Sequence, residues 1–216
     1  PDCAQGHQTI CAQQALPGFT HAGAFAEAIA VPFADANLTA LPEALDPALA
    51  AALGCRVTTA WHALTGRAAV QAGEWVAVFG TGGVGLSAAL LARGLGARVI
   101  AVDVAQGKLD HAKALGADAV VNAAQCDPAE AIRELTGGGA DVAIEALGVV
   151  QTTVPALKCL RKLGRMVQVG MPAGDHTTMP IPMVAVYSGQ LAVFGTRGMP
   201  SWRYPPLIDF IMSGRV

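Results

Sequence analysis

The residues able to do chemistry cluster first in Gly80-Thr81-Gly82-Gly83-Val84-Gly85, which fits the pattern G-x-G-x-x-G. Glycines at this spacing let backbone amides at the start of a helix approach a pyrophosphate, whose charge the helix N-terminus favours. Asp103 stands eighteen residues after Gly85, at the end of the apolar run Arg98-Val99-Ile100-Ala101-Val102. A carboxylate at that place accepts hydrogen bonds from the adenosine ribose hydroxyls and repels a 2′-phosphate, which selects NAD. The next residues, Val104 and Ala105, bring no arginine to receive such a phosphate. Lys108 is within reach of the same ribose, although by spacing alone it reads as a surface lysine. With 25 glycines in 216 residues, a chance match to the glycine pattern is easy. The reading rests on the conjunction of glycines, preceding strand, following helix and acidic residue.

Those residues need particular elements to hold them. Glu74-Trp75-Val76-Ala77-Val78-Phe79 is an apolar run of strand length, and residues 86–95 are rich in alanine and leucine at helix length. From Trp75 onward the pattern alternates. Strands are expected at 75–79, 98–103, 119–121, 141–145, 165–169 and 191–195, with helices at 83–95, 106–115, 128–135 and 151–161. This alternation predicts an α/β fold, a Rossmann-type doubly wound parallel sheet of six strands with helices on both faces. A proline-rich region (Pro172, Pro180, Pro182) precedes the last strand. Pro205 and Pro206 begin a final helix whose apolar residues Leu207, Ile208, Ile211 and Met212 follow helical spacing.

The first part reads differently. Residues 1–20 are polar and read as a loop, and residues 23–31 read as a strand ended by Pro32. Asp46 and Pro47 are suited to cap and open a helix that Gly54 closes, and a second helix is expected over 55–64. Composition shifts at Ala72-Gly73-Glu74. Internal repeats and low-complexity segments are absent from the sequence.

Composition narrows the function classes. Charged residues are 14% and hydrophobic ones 53%, against about 25% charged in an average soluble domain. A net charge of −2 gives no reason to expect nucleic acid or an anionic membrane as partner. Residues 76–92 approach the ~18–20 residues of a membrane span, but their glycines lie at a strand-to-helix turn, which makes a buried βα unit. No signal peptide is visible, and Pro1 without a Met predicts a chain that starts away from its natural beginning. The cysteines Cys3, Cys11, Cys55, Cys126 and Cys159 are odd in number and scattered, which argues against a disulfide scaffold and for a reducing, cytoplasmic setting.

Several runs together resemble a known family. Cys55-Arg56-Val57-Thr58-Thr59-Ala60, Val78 through Gly85, Val102-Asp103 with Lys108-Leu109, and Leu115-Gly116-Ala117 are similar to zinc-dependent alcohol dehydrogenases of the medium-chain dehydrogenase/reductase superfamily. The resemblance spans nearly the whole chain. It implies part of a GroES-like β catalytic domain at 1–54, an NAD-binding Rossmann domain at 55–196, and a C-terminal helix at 197–216 returning toward the catalytic domain. It implies hydride transfer between NAD and an alcohol, or an aldehyde in reverse.

The same resemblance assigns roles to residues. Cys55 becomes a ligand of the catalytic zinc, a metal that favours thiolate and imidazole and keeps one position open for substrate oxygen. Thr59 falls against the nicotinamide. Val169, Gly170, Met171, Phe194 and Gly195 meet the nicotinamide amide through their backbone, and Leu147 and Gly148 line the cleft. Cys3 and Cys11 correspond to the end of a structural-zinc lobe of pattern C-x2-C-x2-C-x7-C whose first two cysteines the sequence does not contain. Two thiolates cannot close a tetrahedral site, and His7 is a poor substitute. The family's other catalytic ligands, a cysteine and a histidine, would lie upstream, so the sequence reads as an internal fragment. No motif assigns His62 or His21, and Cys126 and Cys159 match nothing. Because the last strand is an apolar edge, and family members pair such strands across a dimer axis, a homodimer or homotetramer is expected. Two other readings stay open: a zinc-free quinone or enoyl reductase, against which Cys55 and Asp103 argue, and a non-catalytic NAD-binding module.

Overall fold

The computed structural model describes residues 2–216; Pro1, where the expected first domain begins, lies outside the described residues. The helices are α1 (Ala34–Asn37), α2 (Pro47–Ala52), α3 (Cys55–Trp61), α4 (Gly83–Gly94), α5 (Gln106–Ala114), α6 (Pro128–Thr136), α7 (Val150–Lys158), α8 (Met183–Gly189) and α9 (Tyr204–Met212). The strands are β1 (Trp75–Phe79), β2 (Arg98–Asp103), β3 (Ala119–Asn122), β4 (Ala140–Glu145), β5 (Leu160–Gln168) and β6 (Ala192–Gly195). All six strands pair in parallel, in the order β3-β2-β1-β4-β5-β6. The chain thus has the Rossmann-like doubly wound α/β fold that its alternation predicts.

Strand periodicity builds two cores. Val76, Val78, Val99, Ala101, Val142, Ile144 and Val167 face one side, where Ala88, Leu91 and Ala92 of α4 pack on them. Ala77, Phe79, Ile100, Val102, Ala143 and Met166 face the other, covered by Ile132 of α6 and Ala156 and Leu157 of α7. Apolar side chains on both faces are what a parallel sheet sandwiched by helices demands. The first core also receives Ala60 and Trp61 of α3 and Leu207 and Phe210 of α9. The Trp61 and Phe210 rings lie 4.9 Å apart at 42°. α9 therefore packs on α3 and on the layer that carries α4.

Local signals explain most boundaries. Asp46 caps α2 through Ala48 N at 2.6 Å, and Asp127 caps α6 through Ala129 N at 2.7 Å, each followed by proline at the first helical position. α3 does not run on as a regular helix to 64 but passes into a π-helical turn, His62–Arg67. β5 starts at Leu160, not 165, because Leu160 pairs with Ala140 ahead of a register shift; α7 accordingly stops at Lys158.

The strand expected over 23–31 does not form. Among the described residues, positions 2–54 hold 3-10 turns, the short helices α1 and α2 and one isolated bridge, Pro17 with His21. Phe25 and Ile29 are exposed, and no neighbouring strand takes up the backbone hydrogen bonds there. An apolar run makes a strand only where a partner satisfies its amides.

Candidate dinucleotide-binding site

β1 ends at Phe79, between β2 on one side and β4 on the other, and this is where the strand order reverses. Open α/β sheets bind ligands in the crevice outside the carboxyl ends at such a switch point. Gly80 donates its amide to Val102 O at 2.8 Å and takes φ +90°, a conformation that suits glycine. Gly82 caps α4, and a Cβ added to it would meet nothing within 4 Å. At Gly85 a Cβ would fall 1.7 Å from Gly80 O, so α4 can approach β1 this closely only with glycine there. Backbone amides at the head of α4 are left facing open space, a cradle that fits a pyrophosphate.

Asp103 closes β2 and is 8% exposed. Its Oδ2 accepts from Thr81 N at 2.9 Å and Thr81 Oγ1 at 3.0 Å; its Oδ1 accepts from Val104 N at 2.9 Å and Ala105 N at 3.1 Å. Lys108 Nζ stands 3.8 Å from Oδ2. Burial alone would raise the carboxyl pKa, but the donors from Thr81 and Ala105 and the Lys108 charge outweigh it and hold Asp103 below its ordinary value. The glycine turn and the acidic residue are therefore joined directly, through Thr81. Thr81, 2% exposed, occupies a variable position of the glycine pattern, so spacing alone does not link it to Asp103.

On the β4 side, Glu145 is fully buried and holds the next loop. It accepts from Leu147 N at 2.9 Å, Gly148 N at 2.9 Å and Thr152 Oγ1 at 2.6 Å, and also from Gln168 Nε2. Leu147 in turn lies over Gly80, its Cγ 2.7 Å from where a Cβ would be. Val169 and Gly170 donate to Glu145 O at 2.8 and 2.9 Å, and the Gly170 backbone abuts that of Gly148. The structure thus brings Leu147, Gly148, Val169, Gly170 and the turn 80–85 to one edge of the sheet. Met171 follows and is exposed; Phe194 and Gly195 lie on β6, two strands from β4, with the Arg67 guanidinium 5.4 Å from the Phe194 ring. Glu145 escaped the sequence reading, although an acidic residue ending the otherwise apolar run Val142-Ala143-Ile144 was a usable signal.

The residues expected at the metal are less gathered. Cys55 opens α3 behind Gly54 and is exposed, and Thr59 is buried on the same helix with Oγ1 lacking a hydrogen-bond partner. Cys3 and Cys11 lie far along the chain on partly exposed turns. Among the described residues, no three histidine, cysteine, aspartate or glutamate side chains come together to hold a metal ion. They do not by themselves make a zinc centre, which needs three protein ligands. His62 is a packing residue here: Nδ1 is 2.8 Å from Gly198 O, and burial holds its pKa below the ordinary value. A surface hollow of about 450 Å³ beside β3 and α6, lined by Asn122, Cys126 and Glu134, shares none of these site residues.

The fold is a Rossmann-like α/β sheet with a candidate site at its switch point, and comparison with known proteins sharpens that class. Residues 83–213 match the family model described as zinc-binding dehydrogenase. The chain is 33% identical over 214 residues to an alcohol dehydrogenase of Geobacillus stearothermophilus, covering 99% of this chain and 61% of that protein. Among solved structures, an alcohol dehydrogenase, TADH, from Thermus sp. ATN1 superimposes with a TM-score of 0.89 at 31% identity, over 100% of this chain and 64% of that one. A structure described as an NAD-dependent alcohol dehydrogenase gives 0.87 at 31% identity, over 100% and 62%. The chain belongs to the zinc-binding dehydrogenase family. It spans somewhat under two thirds of the length of these relatives. Among the described residues no helix is long and apolar enough to cross a membrane.

Proposed function

We propose that this chain is the nucleotide-holding part of an NAD-dependent alcohol dehydrogenase, which passes a hydride between an alcohol and NAD. The observation that carries this reading is the Thr81–Asp103 link: a carboxylate, kept ionised, held against the glycine turn. Bound NAD supplies the hydride acceptor. The amides heading α4 receive the pyrophosphate, and Asp103 receives the ribose hydroxyls. Thr81 Oγ1 is the rotatable donor of the four now on that carboxylate, the others being amides, so it is the one that yields to a ribose O–H. Gly82 keeps the approach open, and Leu147 with Gly148 walls the crevice on the β4 side. We place the domain boundaries at 1–54, 55–196 and 197–216, with the first segment belonging to a GroES-like catalytic domain.

The family relationship supports zinc as the metal and Cys55 as one ligand. The remaining ligands are not among the residues gathered here, so no step is assigned to the metal. Thr59, buried with an unpaired hydroxyl one turn into α3, is suited to a cofactor or substrate oxygen. The test is an assay of the complete protein for alcohol-dependent NAD reduction, with bound zinc measured on the same sample. Reduction of NAD that depends on both alcohol and zinc supports the reading. Turnover that persists after the zinc is fully stripped contradicts the metal role, and NAD binding without turnover of any alcohol or aldehyde contradicts the enzymatic one.

A further inference from the structure

Gly83 is a glycine that the G-x-G-x-x-G pattern does not require. A Cβ there would lie 2.5 Å from Arg56 Cδ, 2.9 Å from Nε and 3.2 Å from Nη1. Arg56 belongs to α3, which packs against α4, and its side chain is laid across the first residue of α4. The outer end of the Arg56 side chain thus lies directly over Gly83. One residue earlier, Gly82 faces open space. The guanidinium therefore stands beside the amides that head α4, at the rim of the cradle.

That placement is electrostatically unfavourable without an anion. The N-terminus of a helix carries partial positive charge, and a cation beside its first turn is repelled by it. Arg56 makes no hydrogen bond or ion pair with any described residue, and it is exposed. An anion seated between the guanidinium and the amides converts both unfavourable terms into favourable ones. Building on the NAD reading above, we propose that Arg56 binds the pyrophosphate of the dinucleotide, sharing its oxygens with the α4 amides. Arg56 then holds the charged middle of the cofactor, while Asp103 holds the ribose. The same helix presents Thr59 one turn further on, so α3 serves the cofactor along one flank.

Calorimetric titration of the complete protein with ADP-ribose and with adenosine tests this, using Arg56→Gln and Arg56→Lys. A charged hydrogen-bonding partner lost from a phosphate weakens binding by roughly 10–100-fold. Arg56→Gln is expected to lose that much affinity for ADP-ribose while adenosine binding stays unchanged, which also shows that the variant is folded. Arg56→Lys keeps the charge but not the fork, and is expected to fall between the two. Added salt is expected to weaken ADP-ribose binding more steeply in the unaltered protein than in Arg56→Gln. Equal ADP-ribose affinity in Arg56→Gln and the unaltered protein overturns the proposal and leaves the NAD reading standing. An unaltered protein that binds neither ADP-ribose nor NADH overturns both.

Discussion

At the scale of single residues, burial and donors decide which groups carry charge. Asp103 is nearly covered, yet four donors and Lys108 keep it ionised. Because its folded pKa is depressed, its stabilising contribution is present above the ordinary carboxylate range and is lost as pH falls through the folded value. At Cys159 burial prevails over the groups that favour the thiolate. Burial pushes its thiol from 9.0 up to about 12, with Arg133 offsetting only part. A raised thiol pKa reverses the sense: that stability is present below pH 9 and is lost as pH rises from 9 toward 12. The thiolate is the reactive form. In the folded protein at mildly alkaline pH, a thiol reagent is therefore expected to modify exposed Cys126 and to spare Cys159 until denaturant is added. Mass-spectrometric mapping of the labelled peptides checks this, and early labelling of Cys159 would contradict its burial.

At the scale of elements, the approach of α4 to β1 is set by one atom. Gly85→Ala would put a Cβ 1.7 Å from Gly80 O, and backbone at that distance must move. Overpacking of this kind costs about 1–3 kcal/mol, which corresponds to a fall in melting temperature of roughly 2–12 °C for a chain of this size. Thermal melting of the variant measures it, and an unchanged melting temperature would mean that α4 stands further from β1 than described. Elements of this sheet are legible in the sequence because β1, β2 and β4 are short apolar runs, and α6 opens on an aspartate cap followed by proline. The contacts that make them a site were not legible. Thr81 and Asp103 are 22 residues apart, and Gln168 reaches Glu145 across 23. Such pairs follow from strand order, which period and spacing do not specify. The same limit explains residues 23–31, an apolar run with no partner strand.

At the scale of the molecule, β6 is an edge. Val193 on it is 46% exposed, and Met183, Val184 and Tyr187 of the adjacent α8 are 62, 81 and 85% exposed. An uncovered apolar edge invites pairing, and we propose that it is covered by a second copy, as the family resemblance implies. Sedimentation of the complete protein is expected to give a dimer or tetramer, and an Asp at Val193 is expected to shift it toward monomer. A monomer throughout would contradict that arrangement. Function depends most on the crevice at the switch point between β1 and β4. There, we propose, the glycine turn and Asp103 form one site selective for NAD. The most direct measurement is equilibrium binding of NADH and NADPH to the complete protein and to its Asp103→Gly variant. The account predicts NADH tighter than NADPH by about tenfold or more, the 2′-phosphate meeting a buried carboxylate, and a gap that closes in the variant through loss of NADH affinity. Equal affinities in the unaltered protein, or an equal loss of both cofactors in Asp103→Gly, would contradict it.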